Sequence, residues 1–169
     1  MITLVLGGAR SGKSRHAERL VARLRPPVTY VATAVVDARD AGHVDHDYVA
    51  RVAAHRARRD PAWTTVEAGA DLASALRRVV GSVLVDSLGT WVVAHDDFAV
   101  DVDELCKMLS SRDGDTVVVS EEVGLGVHPS STLGQRFRDV LGEVNAAVAD
   151  IADDVVLVIA GRVLPLERG

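Results

Sequence analysis

The sequence lacks the features that would place it outside the ordinary soluble classes. Its single cysteine, Cys106, excludes an intrachain disulfide framework. Its apolar runs are short. The longest, such as Val155 to Ala160, stop far below the roughly 20 residues that a membrane span requires. No charged leader or cleavage site precedes the first strand-like run, so export is not expected and a cytoplasmic location is. A basic excess is also missing. The net charge of -5 is opposite in sign to that of a typical nucleic-acid binder, so no nucleic-acid partner is expected. Low-complexity stretches, internal repeats and linkers are absent too. A chain of 169 residues with this balance is read as one globular domain, residues 1–169, large enough to bury a real core.

Short apolar runs alternate with helical patterns. Ile2 to Leu6, Val28 to Val35, Ser82 to Val85, Thr116 to Val119 and Val155 to Ala160 read as strands. Ala17, Leu20, Val21 and Leu24 share one helix face, and Pro26-Pro27 stops that helix. Asp45 or Asp47 is placed to cap a helix reaching about Arg59. Leu72, Ala75, Leu76 and Val79 mark a third helix, Val102, Leu105, Met108 and Leu109 a fourth. Phe137, Val140, Leu141, Val144 and Val148 mark a long fifth. Strands that are apolar throughout, rather than alternating, imply a sheet covered on both faces. Strand–helix repetition then predicts a three-layer α/β domain with a mostly parallel sheet.

Gly7-Gly8-Ala9-Arg10-Ser11-Gly12-Lys13-Ser14 matches the phosphate-loop pattern G-x-x-x-x-G-K-[ST] without deviation, after a strand and before a helix. Glycines allow backbone N–H groups to turn inward around a phosphate, and the helix start adds positive potential. Lys13 would reach the β- and γ-phosphates, and the Ser14 hydroxyl would bind Mg²⁺. Asp86 closes an apolar strand at its carboxyl end, where ligands bind in open α/β sheets. It reads either as the second metal ligand or as a turn aspartate. Together these residues predict a site for an Mg²⁺-nucleoside triphosphate.

The segment RVAAHRARRDPAWTTVE, residues 51–67, sets Arg51, Arg56, Arg58 and Arg59 around His55. One reading is a solvated helix face. The other is a phosphate-binding patch around a nucleophilic histidine, whose neutral ring nitrogen is available at pH 7. Cationic neighbours would favour that neutral form. His43 and His46, with Asp45 and Asp47, lack the ligand spacing of a metal cluster. Trp63 and Trp91 read as core anchors. His16 reads as a surface or packing residue and His95 as solvent-exposed. Glu122 and Arg136 are candidates for the rim of the site or for ordinary ion pairs.

Taken together, GGARSGKSRHAE (7–18), HRARR (55–59) with WTTVE (63–67), VDSLGTW (85–91), EVGLGV (122–127) with Pro129, and FRD, LG and VN between 137 and 145 resemble the bifunctional adenosylcobinamide kinase / adenosylcobinamide-phosphate guanylyltransferase family. The likeness runs in order over nearly the whole chain. It implies a RecA-like P-loop fold, a homotrimer, and a corrinoid substrate besides GTP or ATP. It implies phosphorylation of adenosylcobinamide, then transfer of GMP from GTP through a guanylylated histidine, giving adenosylcobinamide-GDP. By the same resemblance His55 carries the GMP. Nucleotide contacts fall on Gly7 to Ser14, on Ala32, Thr33 and Ala34, on Arg56, Ala57, Arg58 and Arg59, on Glu67 and on Asp86. Several positions depart from the family pattern. Glu121-Glu122 stands where Asn-Glu is usual, and a carboxylate there would repel phosphates unless Mg²⁺ or an arginine compensates. His128 replaces an aliphatic residue, Val93 to Asp103 is shortened, and Val36 to Asp47 is expanded and acidic. A kinase with a silent histidine and a non-catalytic nucleotide-dependent module are the competing readings.

Overall fold

The computed structural model describes residues 1–34, 57 and 59–169. The expectations for His43, His46, Arg51, His55, Arg56, Arg58 and the acidic stretch 36–47 concern residues outside these.

The described chain is built on one seven-stranded sheet, in the order β3-β2-β4-β5-β1-β6-β7. The strands are β1 Ile2–Gly7, β2 Val28–Ala32, β3 Thr64–Glu67, β4 Ser82–Asp86, β5 Thr116–Glu121, β6 Asp154–Ile159 and β7 Arg162–Leu166. All neighbours pair in parallel except β7, which returns antiparallel along β6. The central strands β1 and β2 are buried at every position, and β4 and β5 at all but their last. That is the consequence expected of uniformly apolar runs in a parallel sheet.

Alternate side chains along these strands feed two cores. Val5, Tyr30, Leu84, Val117 and Val119 face one side, where α1 (Lys13–Val21) packs with Ala17 and Val21. Leu4, Leu6, Val31, Val83, Val85 and Val118 face the other. That side is covered by α2 (Leu72–Arg78), α3 (Leu88–Val93), α4 (Val102–Ser111) and α5 (Thr132–Ile151). Side chains such as Leu4, Leu72 and Leu141, fully shielded, each contribute about 1.5–3 kcal/mol through burial. The long helix presents Leu141, Val144 and Val148 inward, as the periodicity predicts. The three-layer architecture is therefore the predicted one.

Four elements differ from the expectation. The second strand ends at Ala32, three residues short of the predicted limit. The strands β3 and β7 and the short helix α3 were not expected. Among the described residues no helix is long and apolar enough to cross a membrane.

Candidate active site

The sheet gathers the predicted residues along its carboxyl edge. In register, Glu67 lies beside Ala32 and Ala32 beside Asp86, at the ends of β3, β2 and β4. Gly7 lies beside Glu121 at the ends of β1 and β5. Segments distant in sequence thus converge on one strip of surface because parallel strands point the same way.

The loop after β1 turns on Gly12, whose φ of 95° and ψ of 8° are left-handed. A side chain there would be strained, so glycine is needed where the loop enters α1. The loop is held from within and without. The Ser11 backbone N–H donates to the Gly8 carbonyl at 3.3 Å, and the Lys13 N–H to Ser11 Oγ at 3.3 Å. The Gly161 N–H, in the turn between β6 and β7, donates to the Ser11 carbonyl at 2.8 Å. That outside brace had no sequence signal, because its partners lie in the loop after β1 and the turn before β7, far apart in sequence. Ala9 and Arg10 are exposed on the outer curve. Lys13 Nζ donates to the Gly8 carbonyl at 3.4 Å and lies 3.4 Å from Glu121 Oε1. The charge expected to disfavour phosphate at Glu121 therefore faces the loop lysine, a cationic partner that the sequence reading did not name.

Ser14 Oγ and Asp86 Oδ1 are 3.5 Å apart. A hydroxyl and a carboxylate, both hard oxygen donors, fit Mg²⁺. That ion is commonly held by one or two protein oxygens, with waters and substrate phosphates completing the shell. Asp86 is itself fixed by Tyr30, whose hydroxyl donates to Oδ2. Burial, and then the adjacent Asp86 charge, push the Tyr30 hydroxyl far above its usual range, so it remains a donor. Over the Tyr30 ring lies the Arg59 guanidinium, 3.6 Å from the centroid, in cation–π geometry. Arg59 also donates to Thr65 Oγ1 at 3.4 Å. Sequence reasoning missed Tyr30. Its cue was a phenol in a short buried strand whose other polar side chain is Thr29.

Thr33 is buried and belongs to a hydroxyl network: its Oγ1 donates to the Ser87 carbonyl at 2.7 Å and accepts from the Ser87 N–H at 2.9 Å. It stitches the end of β2 to the segment after Asp86, which fixes Ala32 and Ala34 beside the site. Glu67 is exposed at the tip of β3, and Ala57 is exposed and helical. Trp91 is a core anchor: it is buried and donates from Nε1 to the Ala70 carbonyl at 3.1 Å. His95 is not freely exposed as expected. It packs edge-on against Trp91 with ring centroids 5.3 Å apart. Arg136 pairs with Asp97, and Glu122 accepts the Gly124 N–H of its own loop. Arg136 thus takes the ion-pair reading, whereas Glu122 holds its own loop in place of the expected ion pair.

A model of the family described as cobinamide kinase / cobinamide phosphate guanyltransferase matches residues 3–166. The bifunctional adenosylcobalamin biosynthesis protein CobP of Pseudomonas aeruginosa is 39% identical over 176 residues, covering 99% of this chain and 98% of that protein. The bifunctional adenosylcobalamin biosynthesis protein CobU of Salmonella typhimurium is 32% identical over 184 residues, covering 95% and 97% respectively. Among solved structures, flagellar accessory protein FlaH from Methanocaldococcus jannaschii is similar at a TM-score of 0.46 and 14% identity, over 96% of this chain and 74% of that one. The fold is assigned from strand order and layering, not from that last likeness.

Proposed function

The chain belongs to the cobinamide kinase / cobinamide phosphate guanyltransferase family, and from that membership we propose that it performs both reactions in adenosylcobalamin synthesis. The first phosphorylates the hydroxyl of adenosylcobinamide with GTP or ATP. The second moves GMP from GTP to adenosylcobinamide phosphate. The observation that carries this reading is the convergence of Lys13, Ser14 and Asp86 at the ends of β1 and β4.

In the first reaction the backbone N–H groups of residues 8–14 and Lys13 hold the β- and γ-phosphates in line with the acceptor. Ser14 and Asp86 would hold Mg²⁺, which supplies charge neutralisation to the phosphates when bound. Thr33, Ala32 and Ala34 fix the floor beside them. Arg59, with Arg56, Ala57 and Arg58 of the same segment, and Glu67 complete the nucleotide contacts. In the second reaction the neutral ring nitrogen of His55 attacks the α-phosphorus of GTP. A nitrogen–phosphorus bond forms, the bond to the bridging oxygen breaks, and pyrophosphate leaves. A phosphate oxygen of the corrinoid then attacks the same phosphorus and releases the histidine.

The test is incubation with Mg-GTP followed by mass spectrometry. A GMP-sized, acid-labile adduct is expected on the parent protein and absent after His55→Ala. A folded, GTP-binding parent that never gains the adduct, yet phosphorylates cobinamide, would reduce the assignment to a kinase. We further read the protein as a cytoplasmic homotrimer. The cytoplasm supplies the nucleoside triphosphates. The edge strand β7, with Val163, Leu164 and Leu166 exposed, supports self-association. Light scattering on the purified chain measures the protomer number directly.

A further inference from the structure

Glu121 has no task in the two reactions as described, yet the structure builds a place for it. It ends β5, the strand that lies between β1 and β4, and so sits between the phosphate loop and Asp86. Its backbone is fixed on both sides. Asn145, which is buried, donates from Nδ2 to the Glu121 carbonyl at 3.0 Å. The N–H of the next residue, Glu122, donates to the Gly7 carbonyl at 3.2 Å.

The carboxylate is fixed as well. Oε2 accepts the Gly89 N–H at 3.1 Å, and Oε1 faces Lys13 Nζ at 3.4 Å. A Cβ at Gly89 would stand 2.2 Å from Oε2 and 3.0 Å from Cδ. Only glycine leaves room for the carboxylate at that position. The Glu121 side chain is 29% exposed, so it is shielded but reachable. Glu122, by contrast, turns onto its own exposed loop.

We propose that Glu121 is the general base of the phosphoryl-transfer step, an inference that rests on the kinase half of the reading above. Phosphates entering the loop draw Lys13 away from Oε1 by charge. Oε1 is then a free carboxylate oxygen beside the transferring group. As the acceptor oxygen bonds to the γ-phosphorus, its proton passes to Oε1. The bond from that phosphorus to the bridging oxygen breaks, and the nucleoside diphosphate leaves with the electron pair. This is the part a positioned carboxylate plays when a hydroxyl accepts a phosphoryl group. The guanylyl step has no such need. Its two attacking atoms, a neutral imidazole nitrogen and a phosphate oxygen, carry no proton.

The experiment compares the parent, Glu121→Gln and Gly89→Ala in three measurements: nucleotide affinity, kcat and KM for cobinamide phosphorylation, and the rate of adduct formation from GTP. Glu121→Gln keeps the shape of the side chain. It is expected to lower the phosphorylation kcat about 100-fold or more. Nucleotide affinity and the adduct rate should stay within about threefold of the parent. Gly89→Ala should reproduce the kcat loss by displacing the carboxylate while Glu121 remains. An active parent with an equally active Glu121→Gln variant overturns the base. So does a variant in which affinity, phosphorylation and adduct formation fall together, since that marks Glu121 as a prop for Lys13. A parent that binds nucleotide but phosphorylates no cobinamide overturns the kinase reading itself, and the base with it.

Discussion

At the scale of single residues, Asp86, the carboxylate proposed to hold the metal, is set by a partner that local sequence does not announce. The eight positions of the phosphate loop are contiguous, so their joint role is legible in one glance at the chain. Tyr30 and Asp86 are 56 residues apart, and only the pairing of β2 with β4 brings them together. Glu121 was legible as a departure, but its lysine partner was not, for the same reason of distance. Tyr30 donates to Asp86 while Asp86 Oδ1 stays turned toward Ser14. Hydrogen bonds to metal ligands typically change metal affinity 10- to 100-fold when lost. Tyr30→Phe, which keeps the buried ring under Arg59, should therefore reduce the advantage of Mg²⁺ about tenfold. The measurement is the ratio of nucleotide affinities with Mg²⁺ and with EDTA, which is insensitive to a uniform loss of binding. An unchanged ratio would remove Tyr30 from the site. The raised Tyr30 ionisation gives a second readout. The folded state holds the phenol protonated while the unfolded chain ionises near pH 10.0, so the contribution to stability is complete below that pH and shrinks above it. Stability of the parent should fall more steeply above pH 10 than that of Tyr30→Phe.

At the scale of elements, what the sequence revealed depends on how strongly each segment is buried. The apolar runs of β1, β2, β4 and β5 are central strands, and their composition says so. The strand β3 reads Thr-Thr-Val-Glu and is mostly exposed, so nothing in its composition marks it as sheet. The strand β7 contains Pro165, tolerable because it lies at the sheet edge, and that proline argues against a strand when read locally. The helix α3 is too short for a periodic signal, and its start is carried by the Ser87–Thr90 capping box. The opposite, amino edge of the sheet has its own device. Arg112 sends its guanidinium to the carbonyls of Leu76 at 2.9 Å, Val79 at 2.7 Å and Gly81 at 2.8 Å. One side chain thus satisfies the end of α2 and the approach to β4. Arg112→Ala would take the side-chain donor from these part-buried carbonyls, leaving Leu76 only the Val79 N–H, at a cost of about 2–4 kcal/mol. Arg112→Lys should recover less than half, since one ammonium cannot span the fork. Urea unfolding measures both, and a loss under about 1 kcal/mol for alanine would show that water replaces the guanidinium. Nucleotide affinity should not change in either variant, because the site lies at the carboxyl edge.

For the whole molecule, layering was readable but strand order was not. Alternating strands and helices dictate a covered parallel sheet. Pairing β1 with β5, residue 2 beside residue 116, is a relation between remote segments with no local mark. That remote pairing sets the energetics of the site, because the loop, Asp86 and Glu121 hold their positions only while the sheet is intact. A nucleotide bound across the ends of β1 and β4 therefore binds the native state and has almost nothing to hold in the unfolded chain. Saturating Mg-GTP at 100 times its Kd should add about 2.7 kcal/mol to stability. For a chain of this size that raises Tm by roughly 5–10 °C. Lys13→Ala removes the cation proposed to meet the phosphates while leaving both cores untouched. It should fold with a Tm near that of the parent and lose most of the nucleotide-induced rise. Thermal unfolding of the two proteins with GTP, with Mg-GTP and without nucleotide decides the matter. An equal rise in the variant would mean that the nucleotide stabilises the protein from somewhere other than the loop after β1.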